Sequence, residues 1–388
     1  MDSKIKISII GDIMCEHSQI LALQGDYDFP FKDVKDNFKN CDLLICNLET
    51  PLSRDCSKWA KEKYSFCASE EFAIAVSKLN KNIIFLTANN HCLDRGVDGL
   101  RETIEILDDN GIMHTGTQLN RENNILLSIE GIKIAIANYT YGTNAFNNKQ
   151  YLKSGELSMV NLLQPQELSN SFYKKILSSR FIGFRIIRKI CSKFNLFQIN
   201  QNIYERESCR KGLERSYLRS IRRLKKENDI VIDCLHIGGQ YNKEPNNYTR
   251  KTVKKTIKSG ADIISCNHEH VIHPIEKKER QFINYSLGNF LGVNGVTTAP
   301  FDKYSDVSVG INIYIDKITK ELSFSYSLFK TLEKEGKCYT VALFDLIQRE
   351  PMNDYYLQIN NHFTEYLQGK IHIPAPEYWI GEDNNEQK

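Results

Sequence analysis

An α/β fold follows from two features of this sequence: short β-rich runs alternate with helical patterns, and those runs repeatedly end in polar, metal-competent side chains. Strand-like runs occupy residues 5–10, 43–46, 83–86, 230–235, 263–266 and 282–285, with helical spacing over 70–79, 99–108 and 249–258. Residues 125–129 and 132–137 flank Glu130-Gly131 and predict a hairpin, because two turn residues including glycine suit a tight reversal. A β-rich tract over 307–329 is followed by helical patterns near 341–347 and 355–367.

At 388 residues the chain exceeds one average domain, yet large α/β units reach this length, so one domain over 1–388 is expected. Within it, the strand signal fades over 141–228, which is expected as an insertion, and 338–388 is expected as a C-terminal helical extension. Apolar residues make up 41% and charged residues 26%, a soluble globular composition that excludes wholesale disorder and a membrane-embedded protein.

The net charge is only +3, so nucleic acid is not an expected partner and any basic surface must be local. One such locality carries Lys174, Lys175, Arg180, Arg185, Arg188, Lys189 and Lys193, with no acidic residue between Ser171 and Asn200. Apolar residues interleave there at helical spacing, which predicts an amphipathic helix that covers the core or rests peripherally on an anionic membrane. Eleven cysteines without a C-x-x-C pair favour a reducing compartment. Strand-like sequence begins almost at Met1, and no run of about 18 apolar residues occurs. A cytoplasmic protein is expected, with contact at the inner membrane face as the alternative that the basic tract allows.

Chemistry collects where strands end. Gly11-Asp12, Asn47-Leu48-Glu49, Asn89-Asn90-His91, His236 and His268-Glu269-His270 each follow an apolar run. Functional groups gather beyond the carboxyl ends of strands in open α/β sheets, so these endings can share one cleft. Imidazole mixed with carboxylate suits Zn, Mn or Fe, which predicts a site for two divalent transition-metal ions. In an extended segment His268 and His270, two residues apart, project from one face and reach adjacent ions. Glu49 can bridge such a pair, and His91 suits a general acid. His17, His114, His273, His362 and His372 are expected outside this set.

In order along the chain, Gly11-Asp12-Ile13-Met14, Asn47-Leu48-Glu49-Thr50-Pro51-Leu52, Asn89-Asn90-His91-Cys92-Leu93-Asp94, His236-Ile237-Gly238-Gly239-Gln240-Tyr241, His268-Glu269-His270-Val271 and Ser286-Leu287-Gly288-Asn289-Phe290 resemble the CapA-type capsule and poly-γ-glutamate synthesis family. That family is related to calcineurin-like phosphoesterases, and the resemblance implies a metallophosphoesterase-like four-layer α/β/β/α sandwich, here with a helical, basic insertion. It implies that Asp12 and His270 hold one ion, Asn90, His236 and His268 the other, with Glu49 between them and His91 as acid. Asp94, Gln240 and Asn289 are expected around these ligands. Two positions depart from the pattern. Met14 stands where typical phosphoesterases have histidine, and Gln240 stands where the family usually has glutamate and cannot transfer a proton.

The implied function is a protein of capsule or surface-polymer biosynthesis that hydrolyses phosphoesters with a dinuclear site, its partner an anionic polymer or a phosphoester substrate. The alternative is a non-catalytic assembly or export factor on the same scaffold, which Met14 and Gln240 favour. Hydrolysis of γ-glutamyl amide bonds is a third reading, since the same chemistry can attack a carbonyl.

Overall fold

The computed structural model describes residues 3–55, 65–119, 124–166, 211–293 and 302–381, with a few positions between 183 and 205. All seven basic residues between Lys174 and Lys193 lie outside the described residues, and with them the expected amphipathic helix and its membrane contact. No helix among the described residues is long and apolar enough to cross a membrane.

Strand Lys4–Ile13 is the hub of the larger sheet. It pairs in parallel with Leu43–Leu48 and antiparallel with Val307–Asp316. Ile83–Leu86 and Met113–Thr115 extend the parallel side, while Leu322–Lys334 and Lys337–Ala342 extend the antiparallel side. In the second sheet Ile230–His236 lies between Ile132–Thr140 and Ile263–Asn267, all three parallel, with Gln281–Asn284 parallel beyond them. Ile125–Ile129 closes one edge as the expected hairpin. Its turn residues Glu130 and Gly131 have φ of 51° and 80°, the left-handed pair that a two-residue reversal requires.

Side-chain alternation decides what each face of each strand meets. Ile5, Ile7, Ile9, Leu43 and Ile45 of the larger sheet meet Ile134, Ile136, Ile232 and Cys234 of the smaller one in a shared core. On the far face of the larger sheet, Leu44, Cys46 and Phe85 pack under helices Glu70–Ser77 and Gly96–Asp109 through Phe72, Val76 and Ile106. On the far face of the smaller sheet, Ala135, Val231 and Leu235 pack under Lys211–Glu227 and Asn247–Ser259 through Tyr217, Ile221 and Val253. The layers therefore run helix, sheet, sheet, helix, the four-layer sandwich that the resemblance implies. Helices Leu343–Arg349 and Asp354–Gln368 bury Leu346, Ile359 and Phe363 in the central core. Each such side chain contributes about 1.5–3 kcal/mol, so both sheets form one stiff platform.

A bulge aims the first site residue. Ile10 and Ile13 both join the helix-side cluster although they are three apart, which strict alternation forbids. The register with Leu43–Leu48 shifts between Ile10 and Asp12, and the extra residue turns Asp12 toward the other sheet. Gly11 permits this because a Cβ there would stand 2.1 Å from the carbonyl oxygen of Gly288. The backbone N–H of Asp12 donates to that same oxygen at 3.1 Å.

Candidate metal centre

The parallel strands of both sheets deliver their carboxyl ends to one place. Asp12 lies in register with Asn47 on one side and Asn289 on the other, and His236 lies in register with Asn267, immediately before His268. Asp12, Glu49, Asn90, His91, His236, His268, His270 and Asn289 are all at most 3% exposed. Burying that many polar groups is costly unless they are paired or bind a ligand.

The smaller sheet contributes imidazoles. His236 Nε2 lies 2.6 Å from Asn90 Oδ1, 3.1 Å from His268 Nδ1 and 3.4 Å from Glu49 Oε1. His270 Nδ1 donates to Asn289 Oδ1 at 2.9 Å, with Asp12 Oδ2 at 3.6 Å. The other ring nitrogen, Nε2, lies 3.2 Å from the Gln240 amide nitrogen. The extended geometry expected for His268 and His270 is not what brings them together. The strand ends at Asn267, and His268 and His270 have φ of 109° and 59°. The segment is a turn, tied to the His236 loop by Ile237 N–H to Asn267 O at 3.0 Å and Tyr241 N–H to Glu269 O at 2.8 Å. Gly238 lets the two segments close, since a Cβ there would strike the Glu269 carboxylate at 2.1 Å.

Beside this cluster His91 is held at its edge. Its Nδ1 meets Asp94 Oδ2 at 2.6 Å, and its Nε2 faces Glu49 Oε1 at 3.9 Å. Burial opposes charge on His91, but the charge and hydrogen bond of Asp94, helped by Glu49, outweigh it and raise the pKa. Burial lowers His236 to about 4 and takes His268 well below the ordinary range, leaving neutral rings with lone pairs to offer. Burial and the charge of Asp12 push Glu49 well above the usual carboxylate range. Asp12 goes the other way, because burial is overcome by His270, His236 and Asn47.

These residues fit a metal. Asp12 Oδ2, both carboxylate oxygens of Glu49 and His268 Nε2 make no hydrogen bond although fully buried. Glu49, His268 and His270 bring ligand atoms within 4.8 Å of one another, and so do Asp12, Glu49 and His236. Glu49 belongs to both groups, the placement expected of a bridge. Across the site His236 lies against His268, Nε2 to Nδ1 at 3.1 Å, and Asp12 lies against His270, Oδ2 to Nδ1 at 3.6 Å. Nitrogen and carboxylate donors together suit Zn, Mn or Fe.

Two asparagines at the site were not anticipated as functional. Asn47 donates to Asp12 Oδ1 at 2.7 Å and lies 3.3 Å from His236 Nδ1. Asn89 donates to Asn47 Oδ1 at 3.3 Å and accepts the His91 backbone N–H at 3.1 Å. The alternation of Leu43–Leu48 already puts Asn47 on the same face as Leu43 and Ile45, which is the signal that finds it. Of the histidines expected elsewhere, His114 pairs with Asp108 at 3.1 Å and His273 meets the Asn242 carbonyl at 2.8 Å.

Residues 6–293 match the family model described as bacterial capsule synthesis protein PGA_cap. The chain is 24% identical over 305 residues to capsule biosynthesis protein CapA of Bacillus anthracis, a match covering 76% of this chain and 62% of that one. It is likewise 24% identical over 301 residues to PGA biosynthesis protein CapA of Bacillus subtilis (strain 168), covering 76% and 65%. The match thus spans somewhat less than two thirds of either relative. Among solved structures, TT1561 of Thermus thermophilus aligns over 82% of this chain and 97% of its own with 10% identity and a TM-score of 0.34, too remote to carry an argument. The match over residues 6–293 takes in every strand end that supplies the site, and the chain belongs to the bacterial capsule synthesis protein family PGA_cap.

Proposed function

We propose that this protein acts in capsule or surface-polymer biosynthesis as a metal-dependent phosphoester hydrolase. The observation that carries the reading is the set of buried atoms left without hydrogen bonds, Asp12 Oδ2, both Glu49 oxygens and His268 Nε2, contributed by both sheets. Asp12, Glu49, Asn90, His236, His268 and His270 would hold two divalent transition-metal ions. Such ions, when bound, supply positive charge for a phosphoryl oxygen and lower the pKa of water. The chain's own groups do the rest. Asn289 and Asp94 fix the rings of His270 and His91. His91, its basicity raised by Asp94, would give a proton from Nε2 to the leaving oxygen. The substrate is a phosphoester or an anionic polymer built with one.

Elemental analysis of the purified protein, paired with assays on p-nitrophenyl phosphate, bis(p-nitrophenyl) phosphate and an alkyl phosphate, tests this. Bound transition metal is expected, with turnover of the nitrophenyl esters lost in Asp12→Ala and His236→Ala and turnover of an alkyl phosphate lost in His91→Ala. Turnover surviving in all three removes the catalytic claim.

Gln240 favours a second reading. Its amide nitrogen lies against His270 Nε2, and it has no proton to exchange. A non-catalytic factor that binds an anionic polymer would hold metal without turning over any ester.

A further inference from the structure

Phe66 lies almost flat on His91, with ring centroids 4.1 Å apart and planes 19° from parallel. Its backbone N–H donates to Asp94 Oδ2 at 2.8 Å, the oxygen that also takes His91 Nδ1 at 2.6 Å. One carboxylate oxygen therefore ties the edge of the imidazole to the residue that covers its face. Behind Phe66 the packing is apolar and closed: Met14, Phe66 and Val293 form one cluster, with Met14 0% and Val293 1% exposed.

This arrangement restrains two motions. A ring held only through Nδ1 can still rock about that hydrogen bond, which swings Nε2 away from the cluster. The phenyl face blocks the swing and leaves Nε2 directed toward Glu49 Oε1, 3.9 Å away. Stacked aromatic pairs contribute about 0.5–1.5 kcal/mol beyond their burial, which suits a histidine whose ring must stay in one orientation.

We propose that Phe66 is a positioning residue for His91, holding the proton donor in line so that the site can expel poor leaving groups. The assignment rests on the hydrolase reading above. Protonation by a positioned acid matters most when the departing oxygen is strongly basic, as in an alkyl phosphate. It matters little for a nitrophenolate, which leaves without a proton.

The test compares wild type, Phe66→Leu and Phe66→Trp on an alkyl phosphate and on p-nitrophenyl phosphate. In Phe66→Leu, turnover of the alkyl ester should fall at least ~10-fold while the nitrophenyl ester loses less than ~3-fold, and Phe66→Trp should restore the alkyl ester. An equal fall on both esters, or no rescue by tryptophan, overturns the proposal. A second measurement does not depend on turnover: modification of His91 by diethyl pyrocarbonate, mapped by mass spectrometry in the metal-free protein. His91 should react slowly in wild type and Phe66→Trp and faster in Phe66→Leu, with the far-ultraviolet circular dichroism spectrum and the metal stoichiometry of the loaded protein unchanged. Unchanged labelling overturns the clamp. If Phe66→Leu does not fold, Phe66→Met fills the volume without an aromatic face and takes its place. A wild type inert toward every ester ends the hydrolase reading, while the labelling still decides whether Phe66 restrains His91.

Discussion

Asn47 stands directly opposite Asp12 in adjoining parallel strands and donates its amide nitrogen to Asp12 Oδ1 at 2.7 Å. The same nitrogen lies 3.3 Å from His236 Nδ1, so one side chain links a carboxylate of the larger sheet with an imidazole of the smaller. Its carbonyl oxygen in turn accepts from Asn89, whose own oxygen holds the backbone of His91. Two amides thus connect four of the strand ends that form the site.

Replacing Asn47 by leucine should loosen the ligands while leaving the fold intact. The change leaves one Asn89 donor without its acceptor, at a cost of about 1–3 kcal/mol, and frees Asp12 and His236 from their common anchor. Metal titration by calorimetry should show affinity falling about tenfold or more, with an unchanged far-ultraviolet circular dichroism spectrum. Wild-type affinity in the variant would show that Asn47 positions nothing.

Metal should also stabilise the fold, because cations relieve the buried carboxylates of Asp12 and Glu49. A ligand bound only by the native state adds about 2.7 kcal/mol at a hundredfold excess over its dissociation constant. Thermal unfolding is therefore expected to shift upward with Mn, Zn or Fe and downward after chelation. Glu49→Gln should remove most of the shift, since Glu49 belongs to both ligand groups. A melting temperature indifferent to all three metals would count against a resident ion.

The approach of the first strand to Gly288 leaves no room for a side chain at position 11. Gly11→Ala would set a Cβ at 2.1 Å from a backbone oxygen, which only a shift of the strand can relieve. A loss of roughly 1–3 kcal/mol in urea unfolding is expected, together with weakened metal binding, because Asp12 and Asn289 are register partners at that point. Gly131→Ala, in the open hairpin turn with nothing within 4 Å, separates the effects: it carries backbone strain but should spare metal binding.

Away from the site, Asp233 makes stability depend on pH. It faces the helix layer, takes the Tyr217 hydroxyl on Oδ2 at 2.5 Å and leaves Oδ1 without a hydrogen bond. Burial, only partly offset by that hydroxyl, raises its pKa from 3.8 to about 7. Since the folded-state value lies above the unfolded one, the native state holds the extra proton between them, and stability falls as pH rises across that window. Asp233→Asn is uncharged at every pH, so its advantage over wild type should grow from about pH 4 to pH 7 and then level off, at roughly 2–4 kcal/mol. Urea denaturation of both proteins at pH 5 and pH 8 measures it, and a difference that does not change with pH refutes the argument.

Much of the architecture was legible because strands and helices announce themselves through period. The alternation in Ile5, Ile7 and Ile9 and the apolar run at Ile230–His236 correspond to the two sheets, and the strand-end motifs named polar side chains that meet. Two things were not legible. The turn that aims His268 and His270 depends on backbone angles that contacts distant in sequence stabilise, among them the Gly238 approach and the Tyr241 hydrogen bond. Phe66 reads as one more apolar residue, since nothing local tells an aromatic ring that it will lie on an imidazole.

Residue order alone determined the class of fold, the family and the chemical kind of the ligands, because periodicity and donor type are properties of the chain itself. Tertiary structure decided how closely these side chains stand, with Glu49 common to two clusters, and which neighbours hold them, Asn47 beside Asp12 and Phe66 on His91. The reason is physical. Distances between strand ends depend on sheet register, on the bulge at Gly11 and on the packing of one sheet against the other, and none of these is encoded within a few residues of the groups it brings together.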